Sequence, residues 1–459
     1  MSNEQLSLLI VPCPLSIVEY LRIPKLDRVE MAIVNPLRSL KLTNLRSLFF
    51  IMLPVKVAEE IILNLVENLC SKRDTELIDL EAAHGRILAQ TVMGKLDVPH
   101  WDNSAMDGYA IRYEDVSNCR EDNPITLEIV TEIAAGDRPQ VDVKRGQAAR
   151  IFTGAMLPKG ADTIVMQENT DREGDRVTIL SAPEAREFVR HQGAFYRAGT
   201  PLLEAGTKIS AAEIAVLATA QCTQLAVYRR PRVAILSTGD ELVTPEQTLQ
   251  PGQIVDSNQY ALASFVADRG AIPLKLGIVG DRPDELKQAI SQAIDSADLV
   301  LSTGGVSVGD YDYVDRILTE LGGTLHIRSV AVKPGKPLTV ATFEGNNCLY
   351  FGIPGNPVSA LVSCWRFVRP ALNKLTGEQE RMPFVRAIAR HDLKAGGKRE
   401  TYLWGRLHLV DGRYEFALAG GSHSSGNLIN LAHTNGLAIV PIGQKLITAG
   451  AEVEVMLVD

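Results

Sequence analysis

At 459 residues the chain exceeds what one hydrophobic core organises, so roughly three or four domains are expected. Hydrophobic residues make up 46% and charged residues 22%, and 47 basic against 55 acidic side chains leave −8, which excludes a nucleic-acid surface of the usual basic kind. Six scattered cysteines without a C-x-x-C pair exclude zinc spacing and a disulfide framework, and no apolar run approaches the ~18 residues of a membrane span, so a reducing cytosol is the natural setting.

Residues 1–51 stand apart. Leu/Ile-rich pieces mix with Arg22, Lys25, Arg28, Arg38, Lys41 and Arg46, interrupted by Pro12, Pro14, Pro24 and Pro36. A secretory signal would put the basic residues first and one unbroken apolar core after them; this stretch does neither, and it is expected to be a leader outside the fold. After Met52 an amphipathic helix is predicted with Val57, Ile61, Leu65 and Leu69 on one face, and a further helical segment over 75–93. D-V-P-H-W-D-N-S-A-M-D-G-Y-A-I-R (97–112) then reads as an exposed turn carrying Asp102, Asn103, Ser104 and Asp107, resuming as a strand at Tyr109. An Asx-rich turn that satisfies its own backbone and a functional carboxylate loop are both compatible with it. Short strands fill 125–190, broken by the loop T-G-A-M-L-P-K-G-A-D (153–162); a helix follows over 211–220, and Arg229-Arg230-Pro231 reads as a linker.

At Arg232 the pattern changes to alternating strand and helix. A buried strand, 233–236, runs into S-T-G-D-E-L (237–242), a glycine turn with paired carboxylates. A helix over 258–268 ends at Gly270, a strand covers 274–279, and a helix starts in D-R-P-D-E (281–285) with Leu286, Ile290, Ile294 and Ala297 as its apolar face. The next stretch, D-L-V-L-S-T-G-G-V-S-V-G-D-Y-D-Y-V-D-R-I-L-T-E (298–320), organises the whole chain. A buried strand, Leu299-Val300-Leu301, turns on Gly304, Gly305 and Gly309 and re-emerges as a helix with Val314, Ile317, Leu318 and Leu321 at helical spacing. Backbone N–H groups and a helix N-terminus above such a turn favour phosphate. Asp310 and Asp312 in the same loop would repel it unless a divalent cation lies between, so the stretch points to a phosphorylated ligand held with Mg²⁺. The alternation predicts a parallel sheet with helices on both faces and ligands at the carboxyl ends of the strands. Beyond come K-P-G-K-P (333–337) and G-I-P-G-N-P-V-S-A (352–360), where Asn356 is a good N-cap and Pro357 a good first helical residue, with a bend or end near Pro370. From 381 the chain reads as β, with Asp-Gly at 411–412 as a two-residue hairpin, closing in a small barrel or sandwich.

Seven motifs in order, D-N-S-A-M-D-G-Y-A, T-G-A-x-x-P, S-T-G-D-E-L, G-I-V-G-D, S-T-G-G-V-S-V-G-D-Y-D, K-P-G-K-P and G-I-P-G-N-P-V-S-A, resemble the molybdopterin molybdenumtransferase family of bacterial MoeA proteins and the gephyrin E domain, over 52–459. The resemblance implies a multidomain α/β plus β fold. A helical linker domain would be formed by 52–96 and 200–230, a β-rich inserted domain by 97–199, a molybdopterin-binding α/β domain by 231–377, and a C-terminal β-barrel by 378–459. It implies a cytoplasmic homodimer that inserts molybdate into adenylylated molybdopterin with Mg²⁺, releasing AMP and molybdenum cofactor, and whose partners are a molybdopterin adenylyltransferase and recipient molybdoenzymes.

Residue by residue, the resemblance makes Asp107, Thr153, Glu241, Asp281 and Asp312 catalytic, with Glu241, Asp281 and Asp312 as the metal ligands. Ser237, Thr238, Gly239, Gly304, Gly305, Ser307, Gly309, Pro337 and Asn356 would line the cofactor cleft, Lys333 and Lys336 would hold phosphate or oxyanion, and Arg399 and Ser425 would lie near molybdate. Two positions depart from the pattern: Phe195 replaces a cleft aspartate, and Trp404 stands where many members have a second arginine. Competing readings are a molybdopterin adenylyltransferase, which resembles the α/β domain alone, and a gephyrin-like scaffold that keeps the fold; the extra modules disfavour the first and the retained acids the second.

Overall fold

The computed structural model describes residues 52–70, 72–305, 311–378 and 384–458, without the side chains of Tyr311 and Asp312. The chain divides into units of residues 1–52 and 53–459, and the predicted leader lies outside the described residues. Helix α1 (Val55–Leu65) buries Val55, Ala58 and Ile62, one position round from the predicted stripe; Ile61 and Leu65 flank the core instead. Val66 is already extended, so Leu69 belongs to the segment beyond the helix.

The helix predicted over 75–93 is not formed. Thr75–Asp79 is a strand, β1, followed by one 3-10 turn at Leu80–Ala82. Pairing with β2 (Gln224–Tyr228), in register from Thr75↔Tyr228 to Asp79↔Gln224, overrides helical propensity. Gly85, at φ +74°, then ends any helical continuation. Helix α2 (Ala211–Thr219) starts with a capping box in which Ser210 and Glu213 satisfy each other's backbone donors, and it packs Leu217 with Leu88, Ile209 and Val227.

Between those halves the chain leaves and returns side by side. Val92–Met93 pairs antiparallel with Pro201–Leu203, and Gly199 N–H donates to the Gly94 carbonyl at 2.9 Å. What lies between is a six-stranded sheet ordered Thr163–Met166, Gly108–Ile111, Gln147–Ile151, Ile125–Ile133, Arg176–Ile179 and Thr170–Glu173. Its two faces carry separate cores, one around Tyr109, Leu127 and Val177, the other around Ile133, Ile151 and Ile164.

The α/β part runs β3 (Arg232–Thr238), α3 (Asn258–Asp268), β4 (Ile272–Val279), α4 (Pro283–Ser296), β5 (Leu299–Thr303), α5 (Tyr311–Glu320), β6 (Gly323–Ser329), β7 (Val332–Lys333), β8 (Pro337–Phe343), β9 (Asn346–Ile353), α6 (Pro357–Ser363) and α7 (Arg369–Thr376). Six of these strands form one sheet in the order β4-β3-β5-β9-β8-β6. The sheet is mixed, not wholly parallel as predicted: β8 runs against β9 and β6. The reason is local. Only Glu344 and Gly345 separate β8 from β9, and a parallel return needs a crossover of a dozen or more residues. Leu286, Ile290, Val314 and Ile317 cover one face, and α3, α6 and α1 the other. Between α6 and α7 a π turn, Cys364–Val368, accommodates Pro370, which has no N–H to give to an α ladder. The predicted interruption near Pro370 is therefore present, but the helix resumes to Thr376.

Strands β10 (Phe384–Ala389), β11 (Glu400–Val410), β12 (Arg413–Leu418), β13 (Gly436–Val440) and β14 (Glu452–Leu457) close into a barrel ordered β11-β12-β10-β14-β13, with β13 returning to β11. The Asp411-Gly412 turn joins β11 to β12 with both residues at positive φ, +47° and +77°, as a type I′ hairpin requires. Strand β7 adds to β11 in parallel, so the edge of the barrel is stitched to the α/β part at Val332↔Glu400 and Lys333↔Thr401. Among the described residues no helix is long and apolar enough to cross a membrane.

Candidate active site

At the carboxyl ends of β3 and β5 the chain must turn sharply while two strands stay in contact. Thr238 Oγ1 donates to the Thr303 carbonyl at 3.3 Å, and Thr303 Oγ1 to Ser237 Oγ at 3.2 Å. These buried hydroxyls lock the strand ends together. Gly304 follows at φ +89°, where a Cβ would stand 2.4 Å from the Thr238 carbonyl oxygen, so only glycine fits. Above this floor opens a cavity of about 960 Å³, lined by Thr238, Gly239, Glu241, Asp256, Asn258, Asp281, Gly304, Gly305, Tyr313, Pro337 and Asn356 among others.

The described residues of its wall include three carboxylates, Glu241, Asp256 and Asp281, and no lysine, arginine or histidine. The first turns of α3, α4 and α6 abut it through Asn258, Pro283 and Pro357 and contribute partial positive charge. A cavity with carboxylates on its wall and helix N-termini at its edge suits an anionic ligand accompanied by a cation. Among the described residues no three His, Cys, Asp or Glu side chains are close enough to form a ready-made metal cage.

Most of the predicted cleft residues meet here: Thr238, Gly239, Glu241, Asp281, Gly304, Gly305, Pro337 and Asn356. Ser237 does not; it is fully buried beneath them. Asn356 occupies the N-cap position of α6 but makes no capping hydrogen bond, contrary to expectation. Ser307, Gly309 and the Asp312 side chain lie outside the described residues. Asp256 was missed. Its Oδ1 accepts the Gln259 N–H at 3.2 Å, so it satisfies a first-turn donor of α3 from the residue before the N-cap, Ser257, and D-S-N ahead of an apolar helix was the available signal.

Asp107 and Thr153 sit elsewhere, in turns at the ends of two strands of the inserted sheet, and do not line this cavity. Thr153 donates both its N–H and its hydroxyl to Asp107 Oδ1, each at 2.7 Å, holding the carboxyl below its ordinary value. Phe195 is 71% exposed in the neighbouring loop, where Asp97 and Asp102 tie down Gln192. Lys333 and Lys336 are exposed and belong to a loop that runs from the barrel edge at Lys333 to the cavity wall at Pro337. Arg399 adjoins Lys333: its Nη1 donates to the Val332 carbonyl at 3.2 Å. Ser425 is half-buried in the loop after β12, whose His423 packs on Trp404 with ring centroids 4.6 Å apart.

A mixed α/β sheet with an acid-lined cleft, an inserted β module and a C-terminal barrel defines a multidomain α/β plus β protein with its cleft at the carboxyl ends of the strands. Its parts match the MoeA N-terminal region (domains I and II) over 53–220, a probable molybdopterin-binding domain over 234–374, and the MoeA C-terminal region (domain IV) over 386–458. The chain belongs to the MoeA family of molybdopterin molybdenumtransferases. It is 59% identical to the molybdopterin molybdenumtransferase of Nostoc sp. over 88% of this chain and 93% of the relative, and 34% identical to that of Haemophilus influenzae over 78% and 88%. The crystal structure of a molybdopterin biosynthesis MoeA protein from Pyrococcus horikoshii OT3 superposes with a TM-score of 0.76 at 29% identity, covering 89% of this chain and all of that one.

Proposed function

We infer that this chain is a transferase that inserts molybdate into molybdopterin, taking adenylylated molybdopterin as substrate, requiring Mg²⁺ and releasing AMP. The observation that carries the finer reading is the cavity wall: among the described residues, carboxylates and helix N-termini meet there without a cationic side chain. A substrate phosphoanhydride would face those carboxylates, and a divalent cation resolves the repulsion. Glu241 and Asp281 suit Mg²⁺, which usually takes one or two carboxylates together with substrate phosphates and waters rather than an all-protein cage. When bound, Mg²⁺ would neutralise charge building on the phosphoanhydride as AMP departs. The protein's own part is to orient the substrate between the Gly304 turn and the first turn of α4, and to hold the incoming oxyanion with Lys333, Lys336 and Arg399. No side chain is needed as a covalent nucleophile.

The site is proposed to be completed in a homodimer. Asp107 and Thr153 do not reach the cavity of their own chain, which supports their serving the partner's cavity. A cytoplasmic setting, with product handed to molybdoenzymes, agrees with the five described cysteines, none of which is in a disulfide. The single-domain adenylyltransferase reading leaves the matched regions 53–220 and 386–458 without a purpose.

Purified Glu241→Gln, Asp281→Asn and Asp312→Asn, assayed with adenylylated molybdopterin and molybdate across a Mg²⁺ titration, test this. Each is expected to fold normally, lose about a hundredfold in rate, equivalent to ~2.7 kcal/mol, and leave the adenylylated substrate uncleaved. Wild-type turnover at every Mg²⁺ concentration would overturn the metal assignment, and would favour the scaffold.

A further inference from the structure

A charged side chain is buried where the barrel meets the α/β part. Arg366, in the middle of the π turn, is 4% exposed. Its Nη2 donates to Glu59 Oε2 of α1 at 2.7 Å, and its Nε to the hydroxyl of Tyr402 on β11 at 2.9 Å. Tyr402, fully buried, donates its own hydroxyl hydrogen bond to Glu400 Oε1 at 2.6 Å. Arg366 Nη1 finds no acceptor among the described residues. Taking an arginine out of water costs several kcal/mol, and a well-packed apolar set in its place is often as stable or more so. Fold stability alone therefore does not account for it.

What the network touches suggests why it is there. At one end, Arg366 belongs to the helical run that begins at Pro357 on the cavity wall. At the other, Glu400 pairs with Val332, the residue before Lys333, while its neighbour Arg399 bonds the Val332 carbonyl. Glu400 and Tyr402, two apart on a strand, face the same way, so one hydroxyl fixes β11 against the π turn. The backbone that carries Lys333 and Arg399 is thereby held in register with the cavity.

We propose that Arg366, acting through Tyr402 and Glu400, is a positioning residue that sets the cationic corner of Lys333 and Arg399 for an incoming tetrahedral oxyanion. The inference rests on the oxyanion role given to that corner above. Losing the Tyr402 hydroxyl strands Arg366 Nε and Glu400 Oε1 together and frees β11 to shift. That weakens capture of the oxyanion without touching the cavity in which the pterin nucleotide is bound.

Tyr402→Phe is the variant of choice, since it removes one oxygen and keeps the ring. It is expected to raise the KM for molybdate about tenfold, with kcat at saturating molybdate and the KM for adenylylated molybdopterin within about twofold of wild type. Equilibrium dialysis with radioactive molybdate should show the same loss of affinity without turnover. Arg366→Met should move the same quantities in the same direction, and the double variant should be no worse than the larger single effect, because both break one unit. Lys333→Ala serves as the reference. If Lys333→Ala raises the molybdate KM and Tyr402→Phe changes only the melting temperature, the network is structural and the inference falls. If Lys333→Ala leaves the molybdate KM unchanged, the oxyanion role of the corner is wrong, and the inference falls with it.

Discussion

Replacing Arg229 by methionine probes the joint between β2 and the α/β sheet. Arg229 Nε donates to Asp74 Oδ1 at 2.9 Å, and its two terminal nitrogens bind Asp298 as a fork at 2.8 and 2.6 Å. The arginine side chain is 34% exposed, but Asp74 and Asp298 are only 12% and 19% exposed. Breaking a buried pair costs ~3–5 kcal/mol and an exposed one ~0–1, so a loss of about 2–3 kcal/mol is expected here. The Cys70 and Arg232 N–H groups, which still donate to Asp74 and Asp298, keep it from being larger.

The loss should depend on pH. Burial pushes the Asp74 carboxyl up, but the Cys70 N–H and Arg229 outweigh it and hold it below the ordinary 3.8. A depressed carboxyl stabilises the fold above its unfolded value and loses that contribution as pH falls through its folded value. Urea unfolding of wild type and Arg229→Met should therefore differ fully near neutral pH, and the gap should close below about pH 4. A gap under about 0.5 kcal/mol near neutrality, the range of an ordinary surface substitution, or one that stays constant in acid, would refute the reasoning.

Gly304→Ala places a Cβ 2.4 Å from the Thr238 carbonyl oxygen at a positive φ, and should cost about 2–4 kcal/mol and most of the affinity for adenylylated molybdopterin; unfolding and calorimetric titration check both. Thr153→Val removes one of the two bonds that depress Asp107, so the Asp107 carboxyl should titrate closer to its ordinary value, and an unchanged NMR titration would contradict this. Co-purified heterodimers of Asp107→Ala and Asp281→Asn chains should recover part of the activity that each homodimer lacks; proven heterodimers without recovery would exclude a site shared between subunits.

The readable parts of the sequence were those in which local chemistry decides the backbone. Asp411-Gly412 had to be a tight hairpin, and Pro283 with Asp284 and Glu285 had to open α4, because the residue types themselves set the backbone there. The strand-turn-helix stretch around Gly304 was legible for the same reason, and through it so were the cavity residues at the ends of β3 and β5. Thr75–Asp79 was misread because T-E-L-I-D fits either period, and its partner strand lies 145 residues on, at Gln224–Tyr228. Arg229 looked like a linker residue because its two carboxylates come from positions 74 and 298. Asp256 escaped notice because it precedes the helix without belonging to a glycine turn, and only the assembled wall shows it facing the cleft.

The pairing of Val92–Met93 with Pro201–Leu203 also has a bearing on how such a chain can change. Because the polypeptide departs and re-enters through one narrow doorway, the segment between these two strands is topologically a branch of the protein as a whole. It can be trimmed, lengthened or exchanged without re-threading any strand of the α/β sheet or the barrel. Length changes in the exposed loop around Phe195 therefore leave the central strands untouched, whereas any side chain at the Gly304 turn, locked between two of them, does not.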